Sequence, residues 1–197
     1  MQADPGSIKF SLDRTSILIL DADPMSMSIL SQILAGFGAK NLYKCTTIED
    51  AKLAAQREFD LIFVDPGASG DGYEFIPWLR RDPSSRNKFS SIMVVTGHTQ
   101  STRITSARDS GANFVLAKPL TPTKISARIG WLGRDKRQHV ECQSYVGPDR
   151  RFKFEGPPQG LEGRREGDLS ADLGNASQPN MSQADIDALM QPRRITL

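Results

Sequence analysis

The chain is poor in the features that identify many protein classes. Among its 197 residues are only two cysteines, Cys45 and Cys142, too far apart to make a disulfide scaffold or a zinc-ligand spacing. They read as two reduced thiols. Charge of one sign is also lacking. With 25 basic and 23 acidic residues the net charge is +2, without the strongly basic domain of a dedicated DNA binder. No stretch approaches the roughly 20 apolar residues that span a bilayer. The opening MQADPGSIKF has neither the basic flank nor the apolar run of a signal peptide. These absences lead to the expectation of a cytoplasmic protein with no membrane span and no DNA partner.

What is present begins with four short, unbroken apolar runs, Ile17–Leu20, Leu61–Val64, Ile92–Val95 and Phe114–Ala117. Runs apolar at every position are the mark of strands buried on both faces. A weaker strand is expected at Asn41–Cys45. Helical patterns fall between them, at Met25–Phe37, Ile48–Phe59, Tyr73–Arg80, Gln100–Ser110 and Thr123–Trp131. The first is expected to bury a stripe of Met25, Ile29, Ile33 and Phe37, and Thr47 is a cap for the second. Strand and helix alternate five times. The fold class is therefore α/β, a doubly wound five-stranded parallel sheet over residues 14–132.

In such a sheet, side chains at the carboxyl ends of the strands converge on one crevice. That rule brings together Asp21, Asp23, Asp65, Thr96 and Lys118. Carboxylates, a hydroxyl and an ammonium suit phosphoryl transfer: acids for Mg²⁺, one acid as acceptor, and Lys and Thr on the phosphoryl oxygens. The set resembles the CheY-like response-regulator receivers, matched at Leu20-Asp21-Ala22-Asp23-Pro24, at Asp65 after its strand, at Thr96-Gly97 and at Lys118-Pro119. The 22-residue interval from Thr96 to Lys118 is the family's usual one. The resemblance implies a flavodoxin-like fold, Asp65 as phosphoacceptor, Thr96 and Lys118 as phosphoryl-stabilising groups, and Asp21, Asp23 and Asp65 around the metal.

Three positions depart from the family pattern. Ala22 stands where an acidic metal ligand is usual, the loop after Asp65 is one residue short, and Val115 replaces the usual switch aromatic. Together they weaken Mg²⁺ binding and suggest a receiver scaffold that reads another signal.

From about Gly133 the composition changes. Between Glu141 and Asn180 there are only seven large apolar residues, with recurrent Gly and Pro. Such a segment is expected to be largely disordered, folding at most on a ligand. From Gly133 to Glu166 it holds eight basic residues, six of them arginine, against six acidic ones. Arginine grips phosphate in two-pronged fashion and pairs with guanine, and a neighbouring aspartate accepts from the guanine Watson–Crick edge. Asp149, Arg150 and Arg151, with Arg164, Arg165, Arg134 and Arg137, thus form a candidate nucleotide-binding set over 133–175. An arginine-rich extension on a receiver resembles the CheY-like cyclic di-GMP effectors, the Cle family. That resemblance implies cyclic di-GMP as ligand and control of motility or surface attachment through the flagellar motor or its regulators. The alternative cyclic di-GMP signature, the PilZ domain, fails by one residue at Asp168-Leu169-Ser170…Gly174 and has no room for its barrel.

Residues 180–191 read as a short amphipathic helix, capped by Ser182 with Asp185 in a capping box, its apolar stripe Ile186, Leu189 and Met190. Ser182–Met190 also resembles the N-terminal CheY-binding peptide of the flagellar switch protein FliM. It could fold back on its own receiver or bind another. The leading expectation is a non-enzymatic cyclic di-GMP effector with the flagellar motor switch protein or a CheY-type receiver as partner. The alternatives are a conventional phosphorylated response regulator centred on Asp65, and a structural docking adaptor acting through the last helix.

Overall fold

The computed structural model describes residues 10–67, 71–149 and 180–190. Five strands, β1 (Ser16–Leu20), β2 (Asn41–Cys45), β3 (Leu61–Val64), β4 (Ser91–Thr96) and β5 (Phe114–Ala117), pair in parallel in the order β2-β1-β3-β4-β5. The four runs that are apolar throughout are β1, β3, β4 and β5, and the sheet splits the core into two layers. Leu18, Ile62, Val94 and Val115 face one layer, and Ile17, Ile19, Phe63, Met93 and Leu116 the other. β2, an edge strand, is mostly exposed, with only Cys45 buried.

Five helices cover the two faces: α1 (Pro24–Gly36), α2 (Ile48–Ala54), α3 (Gly72–Arg81), α4 (Ser101–Asp109) and α5 (Pro122–Leu132). Thr47 caps α2, its hydroxyl accepting from the Asp50 N–H at 3.1 Å. Of the stripe expected on α1, Ile33 and Phe37 pack against the core, while Met25 and Ile29 do not. Met27, Leu30, Ser31 and Leu34 are buried, whereas Met25 is 72% and Ile29 45% exposed. Apolar residues occur on more than one side of α1, so periodicity alone does not choose the inward face.

The chain beyond Gly133 is ordered further than its composition suggested. β6 (His139–Glu141) and β7 (Val146–Pro148) form an antiparallel hairpin against the amino end of the sheet. Tyr145 and Val146 are buried, and the Tyr145 hydroxyl donates to the Pro148 carbonyl at 2.9 Å. Beneath the hairpin lies Arg80, 1% exposed. Its guanidinium donates to the carbonyls of Lys88 and Ser90, each at 2.7 Å, to the Gly111 carbonyl at 3.1 Å and to Asn113 Oδ1 at 3.0 Å. A buried guanidinium survives because both of its terminal nitrogens are met by oxygens, although Nε is buried without a partner. Gly111 has φ +103°, and a Cβ there would lie 2.3 Å from the Val146 carbonyl oxygen. The remainder of the expected disordered stretch, 150–179, lies outside the described residues.

The last helix, α6 (Gln183–Met190), lies on β5 and α4, with Ile186 and Met190 joined to the core beside Ile104, Ala107 and Val115. Among the described residues no helix is long and apolar enough to cross a membrane.

Candidate functional site

The carboxyl ends of β1, β3, β4 and β5 deliver Asp21, Asp65, Thr96 and Lys118 to one crevice. Asp21 directly follows β1 and is 4% exposed. Lys118 follows β5, and its Nζ reaches across the sheet to two acids, 2.5 Å from Asp65 Oδ2 and 3.1 Å from Asp21 Oδ2. The other oxygen of each acid is held by the backbone: Asp65 Oδ1 accepts from Gly67 N–H and Asp21 Oδ1 from Asp23 N–H, both at 2.8 Å. Burial alone would lower the Lys118 pKa, but the hydrogen bonds and charges of Asp65 and then Asp21 outweigh it and hold it above its ordinary value. The ammonium thus stays charged and locks the acids together.

Thr96 is fully buried at the end of β4, and its Oγ1 accepts from His98 N–H at 3.0 Å, which fixes the hydroxyl's position. The Lys118 N–H donates to the Thr96 carbonyl at 2.9 Å, tying the two strand ends.

Asp23 is not gathered with the other acids. Both its oxygens are used as the N-cap of α1, accepting from Met25 N–H at 3.1 Å and Ser26 N–H at 3.2 Å. The Asp-x-Asp-Pro sequence explains this: Pro24 opens the helix and the residue before it is the natural cap. The expected three-acid metal set therefore reduces to Asp21 and Asp65. Among the described residues no three His, Cys, Asp or Glu side chains are close enough to hold a metal ion.

The arginine set divides. Arg137 is committed internally: its guanidinium forks onto Asp135 at 2.7–3.0 Å, donates to the Asn113 carbonyl at 3.1 Å and stacks on Trp131. Arg134 donates to the Gly130 carbonyl at 3.0 Å. Arg137 is therefore occupied within the fold, whereas Arg134 is exposed and engages only its Nε. Asp149 stands at the exit of the hairpin, its N–H donating to the Gln138 carbonyl at 2.7 Å. Arg150, Arg151, Arg164 and Arg165 lie outside the described residues.

Sequence reasoning found the apolar part of the inward face of α6, Ile186 and Met190 buried with Leu189 packed against the core, and missed the polar part. Gln183, Ile186, Asp187 and Met190 turn toward the receiver at i, i+3, i+4 and i+7, so half the stripe is polar. The capping box is present, Ser182 N–H and hydroxyl both donating to Asp185 Oδ2.

Residues 17–130 match the family model described as the response regulator receiver domain. A Rhizobium etli protein described as "Probable chemotaxis protein CheY" is 27% identical over 119 residues, 59% of this chain and 91% of its own. The Vibrio cholerae chemotaxis protein CheY4 matches in structure with a TM-score of 0.52 at 24% identity, over 61% of this chain and 97% of that one. The receiver domain of the Arabidopsis thaliana histidine kinase CKI1, complexed with Mg²⁺ and BeF₃⁻, matches with a TM-score of 0.53 at 20% identity, over 63% of this chain and 93% of that one.

Proposed function

Because the chain belongs to the response regulator receiver domain family, we propose that it is a non-enzymatic signalling module whose Asp65 accepts a phosphoryl group. The observation that carries this reading is Lys118 Nζ bridging Asp65 and Asp21. Asp65 Oδ2 attacks phosphorus of a phosphodonor, the donor's bond to phosphorus breaks, and the leaving group departs with the electron pair. An acyl phosphate remains on Asp65. Lys118 then turns from the carboxylate to a phosphoryl oxygen, and the Thr96 hydroxyl, which accepts from His98, has its own proton to donate to another.

Mg²⁺ keeps several waters and needs only one or two carboxylates besides phosphate oxygens. Asp21 and Asp65 meet that requirement and would hold it. Bound there, it neutralises charge on the phosphoryl oxygens. Ala22 supplies no ligand, so the ion would be held weakly.

Titration with beryllofluoride or acetyl phosphate, followed by amide NMR shifts, tests this. Shifts centred on Thr96, Thr99 and Ala117 are expected, and they vanish in Asp65→Asn. Shifts that persist in that variant sink the reading.

A second reading, cyclic di-GMP binding through Asp149, Arg150, Arg151, Arg164 and Arg165, is favoured by one observation. The hairpin holds the backbone of Asp149 in place directly before Arg150-Arg151, so the first acid of the motif is presented on an ordered element. On this reading the output is the flagellar motor switch protein or a CheY-type receiver. Calorimetry with cyclic di-GMP tests it: no heat at micromolar protein, or unchanged affinity after Arg150→Ala with Arg151→Ala, removes it.

A further inference from the structure

β5 is the edge strand of the sheet, and an edge presents unpaired backbone groups that another chain can take up. Here one side chain covers them. Gln183 Oε1 accepts from the Ala117 N–H at 2.8 Å and its Nε2 donates to the Val115 carbonyl at 3.1 Å, as a neighbouring strand would. The same Nε2 donates to Asp187 Oδ1 at 2.7 Å, and Asp187 in turn ion-pairs with Arg128 of α5. Met181 N–H donates to the Thr99 carbonyl at 2.9 Å. Ile186 and Met190 fill the apolar slot between these polar contacts. The surface formed by α4, β5 and α5 is thus a groove with four requirements, an amide, an apolar residue, an acid and a second apolar residue at i, i+3, i+4 and i+7.

α6 meets all four, and an eight-residue helix has little stability unless something holds it. Without α6 the Val115 carbonyl and Ala117 N–H lose their partners and core side chains are uncovered. The groove therefore demands an occupant. The chain between Asp149 and Asn180 is long enough, at roughly 100 Å when extended, to carry α6 to a neighbouring molecule.

We propose that this groove also accepts α6 of a second copy, so that two chains exchange helices in a closed, symmetric pair. Each copy supplies both helix and groove, the condition for a self-complementary two-fold interface. In cis, α6 faces its groove at an effective concentration on the order of millimolar, so the unaltered chain is monomeric when dilute and exchanges as concentration rises. This proposal is independent of whether Asp65 is phosphorylated.

Charge reversal separates the two modes. Asp187→Arg sets like charges against Arg128 within one chain, and Arg128→Asp sets Asp187 against an acid within the other. Mixed, each helix finds its opposite charge only in the other chain. Both side chains are part-buried at the rim, 22% and 23% exposed, so the core is left intact, which thermal unfolding of each variant verifies. Sedimentation should show each variant alone as a monomer at micromolar concentration and the equimolar mixture as a heterodimer. Addition of Gln183→Ala to both chains should weaken that heterodimer tenfold or more. A mixture that stays monomeric while both variants remain folded overturns the proposal, as does a heterodimer indifferent to Gln183→Ala. As a second probe, a labelled peptide of residues 180–190 should bind full-length Ile186→Asp more tightly than the unaltered chain, and equal binding to both overturns it.

Discussion

Gly147 lies backbone against Gly111: a Cβ on Gly147 would come within 2.8 Å of the Gly111 Cα and 2.6 Å of the Tyr145 hydroxyl oxygen. Two glycines, one at the amino end of β5 and one in β7, let the hairpin close on the receiver with no side chain between. Gly147→Ala is expected to lift the hairpin and cost roughly 1–3 kcal/mol, read as a lower urea midpoint with loss of amide protection at Cys142 and Asp149. Unchanged protection at those amides would contradict the fit.

Arg80 is expected to be among the least replaceable residues. Arg80→Met keeps the aliphatic stem but strands the carbonyls of Lys88, Ser90 and Gly111, while Asn113 Oδ1 retains the Ile92 N–H. Leaving several buried acceptors unmet should cost about 3 kcal/mol or more, and Arg80→Lys should recover only part of it. Chemical denaturation of the three proteins side by side checks the order.

The hairpin should loosen in acid. Burial lowers the His139 pKa below its ordinary value of 6.5, and Arg80 adds to this. Asp135 opposes the shift, while Arg137 reinforces it. The unfolded chain therefore binds the proton first as pH falls. The stability owed to neutral His139 is complete above pH 6.5 and is lost on acidification below it. Stability measured from pH 7.5 downward should decline below that value, and His139→Phe should flatten that part of the curve.

Restoring the missing acid should strengthen the metal site. Ala22→Asp places a carboxylate beside Asp21, and Mg²⁺ affinity should rise on the order of tenfold, since affinity follows the number of charged oxygen ligands. Calorimetry with MgCl₂ on both proteins measures it. Asp23→Ala, by contrast, should cost about 1 kcal/mol of helix capping and leave Mg²⁺ affinity nearly unchanged.

The parts of this fold legible in the sequence are those whose signal is local. Leu61–Val64 is apolar at all four positions because both faces of β3 are covered, and a polar residue after each such run must lie at the rim. Asp65, Thr96 and Lys118 follow from that rule. Asp23 did not, because a cap and a metal ligand look alike in sequence. The hairpin was missed because its stability is non-local: Val146-Gly147-Pro148 carries no periodic pattern, and its partners are Gly111 and Arg80, more than thirty residues away. The pairing of Tyr145-Val146 with a following Gly was the available clue. In α6 the apolar residues were legible. Gln183 and Asp187 were not, because a polar residue carries no signal of burial in sequence.

One consequence of the seated α6 concerns the thirty residues before it. Asp149 is fastened near the amino end of the sheet through the hairpin, and Met181 at the carboxyl side through Thr99. The arginine-bearing stretch is thus topologically a loop with two anchors, not a free end. Its length sets a mechanical constraint. Doubling it costs only about 0.6 kcal/mol of closure entropy, whereas shortening it below the distance along the receiver unseats one anchor. Arg150-Arg151 and Arg164-Arg165 lie within that span in sequence, so a deletion that removes them also shortens the tether between the two anchors.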